Sequence, residues 1–327
     1  YHRRIAGDEP QARIHRQVYS ATGLLSEQWD PRLTALRASA ANLRYRYSLS
    51  GRLLHSDSVD RGARIVFCGA GAELRYSWDA RGTRHTYQYD QLLRLSALFE
   101  QAADDDKPRC VERLSYADNT PENARHNRCA RLLRHDDPAG TLWSEDFDLQ
   151  GRVTSESRRF VHEVSASADW PLSPDQRDLA LDPAVWRSQW RYDALGQVLE
   201  EKRWFTRVDA GGAGPGLSFV TTNIYDENGR LSTRILPDGH RLEYRYAAAG
   251  GGLAGILFDD EPVVSGIRHD AAGAVAGFTR SNGITELIER DPRGRITAVR
   301  ASASPAPARG WLERLRVWFG GKAKSGA

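Results

Sequence analysis

The chain has 327 residues, 40% of them hydrophobic and 27% charged, with a formal net charge of +3. That length suffices for one sizeable domain or two modest ones. The near-balanced charge, with no long basic block before residue 300, excludes a nucleic-acid footprint, and no apolar run approaches the ~20 residues that span a bilayer.

Through the first hundred residues, short alternating segments are separated by Gly turns, which is the period-two signature of strands with one better-buried face. "ADDDKPR" (103–109) is a charged loop. "NTPENARHNRCARLL" (119–133) predicts a short helix, capped by Asn119 or Thr120 with Pro121 in its first turn. Strands resume near 142. "SASADWPLSPDQRDLALDPAVW" (165–186) contains three prolines and no clean period, and predicts an inserted loop with a helical turn near 172–186. "DAGGAGPGLS" (209–218) predicts a flexible hairpin connection. Strands then continue to "ITAVR" (296–300). "ASASPAPA" (301–308) is a linker by composition, and Trp311, Leu315 and Trp318 line one side of a short helix expected over 311–319. The expected domains are residues 1–300, a β-sheet domain, and 301–327, a linker with a short amphipathic tail.

A search for repeats finds aromatic-Asp-x-x-Gly-(Arg/Gln)-aliphatic at "FDLQGRV" (147–153), "YDALGQV" (192–198) and "YDENGRL" (225–231). Looser copies are "YSATGLL" (19–25), "YSLSGRL" (47–53), "WDARGTR" (78–84), "HDAAGAV" (269–275) and "RDPRGRI" (290–296). "YDQLLRL" (89–95) keeps Tyr89 and Asp90 but lacks the Gly. The positions expected to carry the repeat are Tyr47, Gly51, Trp78, Asp79, Gly82, Phe147, Asp148, Gly151, Tyr192, Asp193, Gly196, Tyr225, Asp226 and Gly229. Gly supplies the φ > 0 that a tight turn needs, and Asp bonds nearby backbone.

This motif resembles the YD repeat of Rhs-type proteins. The runs 42–67, 78–90, 110–118 and 132–153, with "QWDPRL" (28–33), resemble more particularly the N-terminal part of the C component of bacterial insecticidal toxin complexes. The resemblance covers roughly residues 10–300. It implies a long curved antiparallel sheet that belongs to a hollow shell built jointly by the B and C components, with a toxin polypeptide enclosed. It also implies that the family's aspartate self-cleavage site, built on two closely spaced Asp-Pro-x-Gly copies, is absent. Here "DPAG" (137–140) and "DPRG" (291–294) stand more than 150 residues apart and read as turns at Asp137 and Asp291.

No enzymatic chemistry is expected. Gly250-x-Gly252-x-x-Gly255 matches a dinucleotide fingerprint by letters, but a strand and a turn follow it rather than a helix. The histidines are scattered, with no zinc-hydrolase spacing, and no G-x-S-x-G elbow occurs. Cys68, Cys110 and Cys129 are odd in number and widely spaced, so neither a disulfide framework nor a zinc site is expected, and free thiols suit a reducing cytoplasm. No cofactor is expected. Lysine occurs only at Lys107, Lys202, Lys322 and Lys324. The Arg excess predicts cross-strand pairs with Asp and Glu and packing on aromatic faces, although a base-composition bias would produce the same excess. The chain begins "YHRR" without Met, which reads as a fragment or trimmed product, and no signal-peptide core is visible.

The function expected is therefore a structural, non-enzymatic segment of a toxin-encapsulating shell, folded in the bacterial cytoplasm and secreted with its assembly. Its partners would be a B component and the remainder of a C component, or further copies of itself through sheet edges. One alternative is a surface or secreted YD-repeat module that binds glycans or proteins through its aromatics. Another is the N-terminal fragment of an Rhs effector whose enzymatic part lies elsewhere.

Overall fold

The computed structural model describes residues 2–3, 11–165, 167–206, 208–209, 212–213, 217–248 and 250–303. It is all-β and antiparallel with minor helix. The chain forms two compact units, residues 1–187 with 205–216, and residues 188–204 with 217–327.

In the first unit, strands from Arg16–Tyr19 to Val153–Phe160 follow chain order, each paired antiparallel with the next. In the second, Val198–Thr206 pairs with Ser218–Tyr225, and the meander continues strand by strand to Ile296–Ala303. Neighbour-to-neighbour pairing is what short Gly-punctuated segments favour, because each hairpin closes only a small loop. Arg-rich strands find partners across the ladder, as in Arg44 with Glu27, Arg280 with Glu286 and Arg300 with Glu289.

Among the described residues, helix occurs in three five-residue pieces. Pro121–Arg125 starts as expected, with Thr120 as its cap accepting from Asn123 N–H at 3.2 Å. It stops at five residues, and the strand Leu132–Asp137 begins inside the stretch expected to be helical. Pro174–Asp178 is the helical turn of the 165–186 loop. Pro31–Ala35 was not foreseen. Its signal is the same one that marks the other two, a capping residue followed by Pro: Asp30 Oδ1 accepts from Leu33 N–H at 2.9 Å. The last strand runs through Ala303, with Ala301, Ser302 and Ala303 opposite Glu286, Thr285 and Ile284. It therefore enters the stretch expected as linker. The rest of that linker and the helix expected over 311–319 lie outside the described residues, as does half of 209–218.

The buried apolar core is small and local. Ala97, Cys110, Trp170 and Leu181 cluster in the first unit, with Phe99, Trp143 and Val161 packed against them. This is where the 165–186 loop lies over the sheet.

Candidate functional site

The repeated turn is the most elaborate recurring device in the molecule, and its geometry explains each letter of the motif. In "YDENGRL", Asp226 N–H donates to Arg230 O at 2.8 Å, and Gly229 N–H donates to Asp226 O at 2.9 Å. Asp226 Oδ1 accepts from the backbone N–H groups of Asn228 and Arg230, both at 2.9 Å, while Oδ2 takes Arg230 Nε at 2.8 Å. One carboxylate thus satisfies two loop donors that no strand reaches. Gly229 sits at φ 73°, a region that disfavours a Cβ. The pattern recurs at Asp79, Asp90, Asp148, Asp193, Asp270 and Asp291. Ser20 and Ser48 reproduce half of it: each hydroxyl accepts from the backbone N–H four residues on, at 3.2 and 3.1 Å, and shares a bond with the hydroxyl two residues on, Thr22 or Ser50.

Three of the tyrosines that open a motif bond backwards. Tyr47 Oη donates to Leu25 O, Tyr89 to Leu74 O and Tyr225 to Val198 O, at 2.8, 2.8 and 3.0 Å. Each of these carbonyls belongs to the first strand residue after an earlier turn. Tyr116 and Tyr246, which open no full motif, do the same to Leu95 O and Leu231 O at 3.0 and 2.9 Å. Arginine closes the link. Arg94 bonds Asp90 and lies 4.1 Å over Tyr116, and Arg230 bonds Asp226 and lies 4.3 Å over Tyr246. A turn, its arginine and a later aromatic therefore form a clamp between successive hairpins, in which the ring face is covered and the hydroxyl is engaged.

At the turn, one strand gains a residue. The pairing Tyr225↔Leu231 follows a register shift, and so do Tyr47↔Leu53, Tyr89↔Leu95 and Phe147↔Val153. A regular bulge at the same motif position bends and twists each hairpin alike.

Of the positions expected to carry the repeat, Gly51, Gly82, Gly151, Gly196 and Gly229 all have positive φ. Asp79, Asp148, Asp193 and Asp226 all hold their own turns. Trp78 differs from the tyrosines: it stacks on Tyr76 at 5.9 Å, and Tyr76 contacts Phe67 at 6.2 Å. Two turns depart from the full motif, one of them, at 89–95, noted above for its missing Gly. "YDQLLRL" folds as a full copy, with Leu93 forced to φ 58° in the glycine position. In "CGAGAEL" (68–74), Gly69 N–H donates to Glu73 O and Ala72 N–H to Gly69 O, with Ala72 at φ 71°. Aromatic, Asp and Gly are all replaced there, so only the spacing to Leu74 marked it.

The carboxyls of Asp79, Asp90, Asp148, Asp226 and Asp291 are held below their ordinary value. For Asp226 and Asp291 the leading cause is the arginine side chain bonded to them, and for Asp90 it is the Arg94 backbone N–H. At Asp148 burial is the largest single influence and pushes upward, but the bonds from Arg152 and Gln150 together prevail.

The letters of the dinucleotide fingerprint fall in a turn and in the strand Leu253–Phe258, which leads into another strand. Asp137 and Asp291 hold separate turns, Asp137 paired with Arg158 at 2.7 Å and Asp291 with Arg295 at 2.6 Å. Among the described residues, no His/Cys/Asp/Glu group suits a metal and no helix is long and apolar enough to cross a membrane. A recess of about 520 Å³ in the second unit is lined by Asp193, Gln197, Asn223, Tyr225 and Asp226. Their polar atoms are largely taken up by the turn bonds just described.

These features define a class: antiparallel YD-hairpin proteins in which consecutive hairpins are clamped through their turns. No family model matches the chain. Among curated proteins it is similar to toxin subunit YenC1 of Yersinia entomophaga, 29% identical over 202 residues, covering 59% of this chain and 21% of that protein. Toxin subunit YenC2 of the same organism is 26% identical over 210 residues, covering 58% and 21%. The chain thus spans about a fifth of the length of these relatives. Among solved structures, the TcdB2-TccC3-Cdc42 crystal structure superposes with a TM-score of 0.68 at 24% identity, over 93% of this chain and 15% of that one. TcdB2-TccC3 without its hypervariable C-terminal region gives 0.68, 24%, 93% and 14%. The Tc holotoxin pore of Photorhabdus luminescens gives 0.58, 22%, 92% and 18%. The solved structures share the fold, and the curated relatives are toxin subunits. Over part of its length the chain is similar in sequence to these toxin subunits, and it shares its fold with the TcdB2-TccC3 structures.

Proposed function

We propose that the chain is a length of wall in an Rhs-type shell, non-enzymatic in itself, that helps enclose a toxin polypeptide. The observation that carries this reading is the clamp. The turns at Asp90 and Asp226 are each tied to a later hairpin by a tyrosine hydroxyl, an arginine and a carboxylate, and Tyr47, Tyr89 and Tyr225 tie back by their hydroxyls, which stiffens a sheet that buries few apolar side chains. A wall needs stiffness along the ladder more than a thick core. The sequence similarity to toxin subunits supports the same reading, and the likeness in fold agrees with it. The wall would be completed by the remainder of a C component and by a B component. It would meet them by strand pairing rather than through a side-chain pocket. Folding in the cytoplasm and export with the assembly follow from that role.

A glycan-binding module is the second reading, and the exposed Phe67–Tyr76–Trp78 ladder favours it. Tyr47, Tyr89, Tyr116, Tyr225 and Tyr246 do not, since their hydroxyls are already engaged. Light scattering over a concentration series, with and without a co-expressed B component, tests the wall reading. Self-association or complex formation is expected. A strictly monomeric chain that ignores the B component, and whose Trp fluorescence responds to oligosaccharides, would transfer the function to the module.

A further inference from the structure

The segment between Phe160 and Val185 is closed at its neck. Val161 N–H donates to Ala139 O at 3.0 Å, His162 N–H to Ala180 O at 3.1 Å, and Asp182 N–H to Phe160 O at 2.7 Å. Arg159 holds the carbonyls of Leu181 and Asp182 at 3.0 and 2.8 Å. Between these points the described residues carry one five-residue helix and otherwise no helix or strand. This is a compact surface loop with adjoining ends.

Its grip on the sheet is concentrated in a few groups. Trp170 is 3% exposed. Its backbone N–H donates to Cys110 O at 2.8 Å, its indole to Asp137 O at 3.1 Å, and its carbonyl accepts from Arg113 at 3.2 Å. The neighbouring Asp169 accepts from Cys110 N–H at 2.9 Å. Arg177, 3% exposed, reaches Asp136, which is wholly buried, and the adjoining Asp178 pairs with Arg134 of the sheet at 2.8 Å. Elsewhere the loop looks outward, with Val164, Leu172 and Leu179 all about four-fifths exposed or more. The ladder beneath passes without it: Phe99↔Cys110, Arg113↔Asp136 and Asp136↔Thr141 are strand pairs that use none of the loop's backbone.

Two features make the loop separable. A buried ion pair gains Coulomb energy but forfeits hydration, so its net worth is small, and both partners recover water on opening. Asp136 also keeps Arg134 Nε at 2.8 Å and Thr141 Oγ1 at 2.6 Å on the sheet itself, so no orphan charge is left behind. Ladder bonds lost on opening are none, and one apolar anchor is exposed.

We propose that residues 167–179 form a hinged strap, fastened by Arg177 to Asp136 and by Asp178 to Arg134 and anchored by Trp170, which opens about its neck to uncover the Ala97–Cys110 face while the sheet stays folded. Such an opening is a local transition that requires less free energy than unfolding and exposes far less surface.

The test uses the full chain with Cys68→Ser and Cys129→Ser, leaving Cys110 as the only thiol. Maleimide labelling of Cys110 is followed against urea concentration, beside hydrogen exchange of the Leu95–Gln101 amides. A strap gives a labelling rate nearly flat in urea while those amides show the steep slope of global unfolding. Arg177→Leu should raise the labelling rate on the order of tenfold or more, with cooperative melting retained. Labelling of the parent chain with the same urea slope as global unfolding would overturn the proposal, and this measurement does not depend on whether the variant folds. An unchanged rate in a folded Arg177→Leu chain would overturn the fastener.

Discussion

The strap-covered stretch of the first unit and the bare meander of the second are built from the same hairpins but held differently. Under the strap, Ala97, Cys110, Trp170 and Leu181 are buried together beside Asp136 and Thr141, neither of which has any exposure. In the second unit the described buried residues other than glycine are scattered: Asn223, Thr233 and Leu257. There, order comes from the ladder and from clamps such as Asp226–Arg230–Tyr246. Side-chain burial is non-directional and scales with area. Clamps are directional and small, so they act by number. A repeat sheet without a second layer depends on regularity, and where one is laid over it a few large residues dominate.

The largest blow to this contrast is Trp170→Ala. Truncating a buried Trp typically costs about 3–5 kcal/mol, and here the indole bond to Asp137 O goes too. Hydrogen exchange should speed up across Leu95–Gln101 and Arg109–Tyr116, with a lower melting midpoint for the first unit. Unchanged exchange there would mean that the strap adds nothing to the sheet.

Acid separates the regions by the opposite route. Asp90, Asp226 and Asp291 have depressed values in the fold, so the stability they contribute is present above the ordinary 3.8 and is lost as pH falls through the folded values beneath it. Below about pH 4, exchange at the turn amides of Asn228, Arg230, Arg293 and Arg295 should rise ahead of that in the Trp170 region. Uniform loss across both would deny the clamps a local role.

These two handles were unequally legible. Asp226 and Asp291 stand in readable motifs, because a turn that needs one acceptor and one positive φ leaves Asp and Gly at fixed spacing. Trp170 lies in a proline-bearing loop without period, and nothing local says which surface it covers. The only hint is a large apolar residue flanked by Asp169 and Pro171 in a stretch that otherwise looks solvent-bound. Asp136 was still less readable. Beside Asp137 it looked like part of a turn, and its burial is decided by Arg177, 41 residues away. The helix Pro31–Ala35 was legible in its Asp30-Pro31 start, yet too short to show any period. Thr141 gave no signal at all, since its burial follows from register.

Tyr246→Phe probes a single clamp. The ring and its stacking on Arg230 remain, and only the bond to Leu231 O at 2.9 Å is removed. A loss of about 1 kcal/mol is expected, read as faster exchange in Leu231–Ile235 and Arg241–Tyr246. No measurable change would mean that the hydroxyl bond is replaced by water without loss, and that ring packing alone carries the link.

The smallest effect has the opposite sign. Leu93 occupies the glycine position of a complete turn at φ 58° and is half exposed. A left-handed conformation costs an L-residue roughly 1–2 kcal/mol. Glycine removes that strain but brings back roughly 0.5–1 kcal/mol of unfolded-state freedom. The side chain gives up little burial. Leu93→Gly should therefore stabilise the first unit by a few tenths to about 1 kcal/mol, seen as a higher melting midpoint and slower exchange at Leu95. The mirror change, Gly229→Ala, should destabilise the second unit, since that glycine has φ 73° and its Cβ would meet only Gln197 at 3.4 Å. If both substitutions shift stability in the same direction, turn conformation is not what the glycine supplies, and the bulge would have to be held by the Asp acceptor alone.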